Sequence, residues 1–295
     1  MQGIVLPTVN GLAQGMLLFL VAGGLSLVFG VMGILNFAHG AYFMLGAYLA
    51  YTLAGGQQLP AWQLLLLVLV VGVLTALIGV VTEVVVFRRM YGLEELNTLL
   101  ATYALLLVGS GLARQIWGVR PVSLPQAAAF STTFSLAGVQ VPLYDLVLLA
   151  SGLLVASGLW VLLYRTDFGR TVRAVAYDRW MAAALGIDVN TVFTVMFGIG
   201  IFLAGVGGGL YAPLVAISPD LAFTYIIQAF AVVIIGGIGN LPGTFGASLL
   251  VGLLTSFLVV YAPELSAFSL YLVMVAVLLF RPGGLFGARR TLSLG

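Results

Sequence analysis

Few side chains in this chain could do chemistry, and the missing types are as informative as those present. Among 295 residues there is no Cys, one His and no Lys, and the eleven basic residues are all Arg. Without Cys there is no disulfide and no thiolate for metal, redox or nucleophilic work. A single His cannot build a paired-His zinc site. A P-loop needs its Lys on the β- and γ-phosphates, so ATP hydrolysis by that machinery is excluded, and Schiff-base chemistry with it. No carboxylate pair falls inside an apolar run, and no acidic relay of the kind that proton-driven carriers use is evident. Asp145, Asp220 and Glu264 sit at run ends, and Glu83, about a turn from Arg88 and Arg89, is expected to snorkel toward them. The expectation is a protein that is not an enzyme, with no catalytic residue, metal or cofactor of its own.

Two groups of residues remain. Asn36, Phe37, His39 and Gly40 lie in a stretch that carries no Asp, Glu, Lys or Arg from Met1 to Thr82. A polar group at membrane depth is costly and points to function; the alternative is a His that a neighbouring carbonyl satisfies and that pins a helix break. The glycines of Gly30–Gly40 suggest such a break, tolerated only against protein or a water-filled cavity. Gly236 and Gly237 belong to a second glycine cluster, read as close helix packing or as a broken helix lining a path, with Asn240, Leu241 and Pro242 favouring a loop at the cytoplasmic edge.

The second group is the segment 165–188. It reads as a helix from Val172 to Leu185 that stops at Gly186. Arg170, Arg173 and Tyr177 fall on one polar face and Val172, Val175 and Ala176 on another. Such a helix either rests on anionic lipid headgroups or docks a soluble partner. Asp178, Trp180 and Met181 suit the second reading, because a Trp and a Met beside charges make an interface anchor.

The elements that position these groups are apolar runs. The chain is 62% hydrophobic and 7% charged, against about 25% charged in ordinary soluble domains. Runs bare of charge also cover Val189–Pro219 and Leu221–Pro263, and runs of about 18 or more apolar residues read as transmembrane helices. The expected fold is all-α: a single polytopic transmembrane helical bundle over 1–295, with spans near 8–32, 36–55, 61–87, 97–117, 143–164, 190–212, 223–241, 244–262 and 266–281. No basic region precedes the first run, so it is expected to stay as a span and not to be removed as a signal peptide.

Nine of the eleven Arg residues fall in three clusters, Arg88–Arg89, Arg165 to Arg179, and Arg281 with Arg289 and Arg290. By the positive-inside rule these segments and the C-terminus are cytoplasmic. Nine full spans put the N-terminus outside; eight, with one re-entrant segment, put it inside. The loop 118–142 alternates weakly and suggests a small outer hairpin. The +2 net charge is explained by topology and gives no reason to expect nucleic acid.

The run from Phe29 through Asn36, Phe37, His39 and Gly40 to Met44 and Tyr48 closely resembles the N-terminal signature of LivH-type permeases. These are membrane subunits of bacterial ABC importers for branched-chain amino acids. The resemblance continues through Gly169–Ala176, Ala182–Ile187, Ala204–Gly205, Phe230–Asn240 and Phe280–Gly287, in the family's order and across nearly the whole chain. It implies a bacterial inner-membrane protein paired with a LivM-like second permease, two ATP-binding cassette subunits of LivG/LivF type that use the ATP, and a periplasmic amino-acid-binding protein, with membrane lipid around the bundle. It also places the coupling to those ATPases in 165–188, with Gly186 at the Gly of the importers' Glu-Ala-Ala…Gly loop and Trp180 where its Glu would stand. Asn36–Gly40 would lie near the translocation path.

The function so implied is alternating access for branched-chain or other hydrophobic amino acids. An apolar path suits a zwitterion with an aliphatic or aromatic side chain, whose carboxylate a helix terminus could meet. Similar permeases handle amides or urea, and a stand-alone channel built on glycine-packed helices is the other alternative.

Overall fold

A computed structural model describes residues 2–92, 94–136 and 139–287. Twelve helices follow in order: α1 (Gln2–Met32), α2 (His39–Leu53), α3 (Ala61–Val85), α4 (Glu95–Trp117), α5 (Leu143–Arg165), α6 (Asp167–Tyr177), α7 (Arg179–Ala184), α8 (Val189–Tyr211), α9 (Leu221–Gly236), α10 (Leu241–Tyr261), α11 (Pro263–Ser266) and α12 (Ser269–Phe280). A short 3₁₀ turn, Phe87–Met90, follows α3. Among the described residues, six helices are long and apolar enough to cross a membrane: α1, α3, α4, α5, α8 and α10. The chain is a multi-pass, all-α membrane bundle.

The small sheet is the hairpin of the 118–142 loop, with β1 (Thr133–Leu136) antiparallel to β2 (Val139–Pro142) and Phe134 opposite Val141. The same loop is tied to the α8–α9 connection by a two-way backbone bridge between Val122 and Ile217, at 3.0 and 2.7 Å.

The core consists of α1, α2, α8 and α9. Helix α1 is apolar on all sides and is buried along most of its length, as expected of a helix surrounded by others. Lipid offers no hydrophobic drive between helices, so close approach has to supply the packing. Glycine supplies it here. A Cβ on Gly208 of α8 would fall on the Phe43 carbonyl of α2, and one on Gly205 would fall on Thr75 of α3. Helices α3, α5 and α10 wrap this core and present Leu, Val and Ile outward, among them Leu66, Leu69, Val73 and Leu154.

Helix α1 runs antiparallel to α10. At one end the Tyr261 hydroxyl donates to the Gly3 carbonyl (2.7 Å); at the other, Gly30 lies against Gly239. At that second end the C-terminal segment straps the α9–α10 turn, with Leu285 N–H on the Ile235 carbonyl (2.8 Å) and Asn240 Nδ2 on the Phe286 carbonyl (2.6 Å). Arg281, Arg88–Arg89 and the α6–α7 segment all belong to this end; Arg289 and Arg290 lie outside the described residues.

Three sequence expectations are corrected. The helix expected from Val172 to Leu185 is two helices, α6 and α7, because Asp178 leaves helical geometry and caps α7, accepting from Trp180 N and Met181 N at 2.9 Å each; a capping carboxylate outweighs the helix propensity around it. Ala176 is exposed and does not share the buried face of Val172 and Val175. Glu83 does not snorkel: it is fully buried.

Candidate functional site

Helix α1 ends at Met32, where Gly33 takes a left-handed φ of +70° and closes the last turn on Phe29 O at 2.9 Å. A side chain there would be strained, so this position stops the helix. Residues 33–38 are non-helical and α2 begins at His39. The break is held by His39 Nε2, 2.9 Å from the Val21 carbonyl inside α1, and by Thr102 Oγ1 of α4, which donates to the Leu35 carbonyl (3.1 Å). Asn36 and His39 are both fully buried. Both side-chain atoms of Asn36 and Nδ1 of His39 have no hydrogen-bond partner among the described residues. Gly40 is buried because Ala222 and Ile226 of α9 approach it closely.

Phe37 joins an aromatic cluster. Its ring lies 6.1 Å from Tyr103 and 4.7 Å from Phe230, and Tyr103 lies 6.2 Å from Phe223. These rings link the break to α4 and α9.

A cavity of about 980 Å³ opens beside the break, walled by Phe29–Leu35, by Met90–Gly92 and the start of α4, and by Val175–Trp180. Of the expected coupling residues, Tyr177, Asp178 and Trp180 line it, and Asn36 is the next residue beyond its wall. Gly236 and Gly237 are not brought to it: they form the tight α9–α10 turn, packed on Gly243 and Thr244 and on Gly283 and Gly287.

On α6–α7 the basic residues are engaged locally. Arg170 pairs with Asp167. Arg173 donates to the Leu163 carbonyl at the end of α5, satisfying one of its last carbonyls, and lies over the Tyr164 ring. Beside these charged groups large rings and a thioether protrude: Tyr177 is 94% exposed, Trp180 78% and Met181 59%. Gly186 follows α7 with φ +85° and lets the chain turn toward α8. Asp188 caps α8; the Thr191 hydroxyl and backbone N–H hold its carboxyl below the usual range.

Sequence reasoning missed a group at the same end. Glu83 Oε1 accepts from the Tyr91 hydroxyl (2.5 Å), and Oε2 accepts from Thr194 Oγ1 of α8 (2.7 Å) and from Arg88 (3.4 Å). Arg88 also donates to Thr194 at 2.7 Å. Burial and the Glu83 carboxylate push the Tyr91 phenol upward. The available signal was that Glu83 lies between Thr82 and a Val84–Val86 run and not at the run's edge; its partner Thr194 is 111 residues away.

An apolar multi-pass bundle with a break in its core and a cavity at one end has the build of a membrane permease. The chain belongs to the family described as branched-chain amino acid transport system, permease component, which matches residues 8–278. It is similar to the high-affinity branched-chain amino acid transport system permease protein BraD of Pseudomonas aeruginosa, 31% identical over 95% of this chain and 94% of BraD. The probable branched-chain amino acid transport permease protein LivH of Methanocaldococcus jannaschii is 30% identical over 92% of this chain and 89% of its own length. LivM of Salmonella typhimurium, a permease of the corresponding system there, is 25% identical over 93% of this chain and 69% of LivM. No solved structure matches the chain. It is a permease subunit.

Proposed function

We propose that this permease subunit passes branched-chain or other hydrophobic amino acids across a bacterial inner membrane by alternating access, driven by ATP hydrolysed on partner chains. The observation that carries the reading is the family match over 8–278 joined to the apolar side chains that α6–α7 presents on the Arg-bearing end. Tyr177, Trp180 and Met181, protruding beside charges, suit the anchor of a docked ATPase in this reading. The partners in this reading are a LivM-like permease, two LivG/LivF-like ATPases and a periplasmic amino-acid-binding protein. LivM's likeness to this chain supports a pseudo-symmetric pair.

The arrangement also supports nine crossings, with the C-terminus cytoplasmic and the N-terminus outside. Helix α1 ends where the Arg clusters gather and begins at the opposite end. Helix α2 has 15 residues, about 22 Å of helix, against a hydrocarbon core of about 30 Å. The non-helical residues 33–38 supply the rest of that crossing. Helices α9 and α12 are short too, with 16 and 12 residues. In this reading Asn36, Phe37, His39 and Gly40 border the path, Gly236 and Gly237 stiffen its inner end, and Arg170, Arg173, Tyr177, Asp178, Trp180, Met181 and Gly186 form the coupling surface, which rocks the bundle when the ATPases close.

Purification from the native membrane in mild detergent is expected to recover two P-loop ATPases and a second permease, and the reconstituted complex to take up leucine, isoleucine or valine only with ATP. A chain that purifies alone and passes solute without ATP overturns the reading. Trp180→Asp changes an exposed side chain, so the protein is expected to fold normally while uptake per ATP falls by about 5-fold or more; unchanged coupling removes α6–α7 from the contact.

A further inference from the structure

We infer that Glu83, Tyr91, Thr194 and Arg88 form a latch between the α3–α4 turn and α8 that holds the inner cavity in its open shape and releases in each transport cycle. The inference rests on the proposed ATP-driven mechanism. Tyr91 belongs to the cavity wall, and Glu83 is its anchor. Thr194 stands one helical turn past Asn190, whose carbonyl lies 2.9 Å from the Thr194 hydroxyl, and α8 begins directly after the Gly186 turn and the Asp188 cap. A pull on α7 therefore reaches Thr194 through less than two turns of continuous helix. The Tyr91 ring also meets Phe193 edge-on at 5.2 Å, so the turn is pinned to α8 by both a polar and an aromatic contact.

The chemistry suits a contact that both holds and lets go. A buried carboxylate is tolerated because three donors surround it, and Arg88, 38% exposed, can reach solvent when they separate. No other charged side chain is fully buried among the described residues. A purely structural tie between α3 and α8 would not need one, since their contact is already made by Gly72, Gly79 and Gly205. The turn is already packed on α8 by rings, the fully buried Phe87 against Phe197 at 5.1 Å and Tyr91 against Phe193, so Glu83 adds the polar tie that sets where Tyr91 stands in the cavity wall and acts as its positioning residue.

The natural absence of Cys makes the test direct. Arg89→Cys with Asn190→Cys places two thiols on exposed residues that flank the latch without belonging to it. In the complex with its own ATPases and second permease, spin labels on these thiols are expected to report one distance at rest and a longer one when the ATP-bound state is trapped with vanadate. Joining the thiols with a short bis-methanethiosulfonate is expected to cut uptake by more than about tenfold, and a reductant to restore it. Cross-linked complex that transports at the unlinked rate, or a distance that ATP does not move, overturns the latch. Glu83→Gln is expected to populate the longer distance without ATP and to lower uptake per ATP about 5-fold or more at unchanged KM; loss of folded protein alone, with the per-molecule rate and distance unmoved, makes Glu83 merely structural and also overturns it. Failure of ATP-driven uptake in the unmodified complex is a separate result: it overturns the proposed function, and the latch with it.

Discussion

Two polar groups are buried in one bundle and are held in opposite ways. Around Glu83 both carboxylate oxygens are bonded, to Tyr91, Thr194 and Arg88. At the break the chain returns into the bundle carrying Asn36, whose amide oxygen and nitrogen both lack a partner among the described residues, and His39, met there at one nitrogen of two. A bonded buried polar group positions structure, whereas an unbonded one is a standing cost of about 1–3 kcal/mol that folding alone would remove. The contrast separates two jobs: the first group holds an element in place, and the second keeps hydrogen-bonding capacity free in the core beside the cavity.

The largest effect on stability is expected where the bonds are complete. Glu83→Ala strands the Tyr91 hydroxyl and removes the carboxylate from Arg88, which keeps only Thr194, while the Thr194 hydroxyl keeps the Asn190 carbonyl. Because Arg88 can turn toward solvent, the cost is set at about 3 kcal/mol, at the low end for breaking a buried pair. Thermal unfolding of the purified chain should show it as a clear drop in Tm. An unchanged Tm would mean that the carboxylate is hydrated in the membrane protein, and the contrast with the break would collapse.

The next effect comes from the half-satisfied residue. His39→Leu removes the contact to the Val21 carbonyl, while His39→Gln keeps an amide donor in reach of it. Hydrogen bonds between membrane helices are worth about 0.6–2 kcal/mol, so Leu is expected to lower Tm by less than Glu83→Ala does, and Gln to recover part of the loss. Equal loss in both variants would show that the ring's shape, not its bond, fixes the start of α2.

How much of this was legible in the sequence follows from the range over which each signal acts. Apolar runs and the placement of Arg are local, and they located the long helices and the end where the Arg residues gather. The glycines of 30–40 and the weak alternation in 118–142 are local too, and the break at Gly33 and the hairpin fall within those stretches. The length of α2 was not legible, because apolar residues read alike in a helix and in an irregular stretch, and 33–38 are non-helical, with a turn at 37–38. Nor was the α6–α7 division, since propensity from Val172 to Leu185 hides the capping role of Asp178. For the candidate site, Asn36 and His39 stood out as polar residues in an uncharged run. Glu83 was misread because nearby Arg residues suggested escape to the surface, and its decisive partner, Thr194, lies on another helix. Gly236 and Gly237 were read as close packing or as a broken helix lining a path, with Asn240, Leu241 and Pro242 favouring a loop, and the contacts show a tight turn there.

The smallest expected change in stability is also the sharpest test of the contrast. Asn36→Leu keeps the branching of the side chain, at somewhat greater volume, and removes two buried polar atoms that bond to nothing among the described residues. On the physics of burial alone this should leave Tm unchanged or raise it by the equivalent of up to about 1–2 kcal/mol. If the free amide serves the solute, uptake by the reconstituted complex falls with the protein fully folded, and KM rises more than the maximal rate falls, since a ground-state contact is lost. A lower Tm would mean instead that Asn36 has a bonding partner in the membrane, in a second permease or in ordered water. It would then belong with Glu83 among the groups that hold structure.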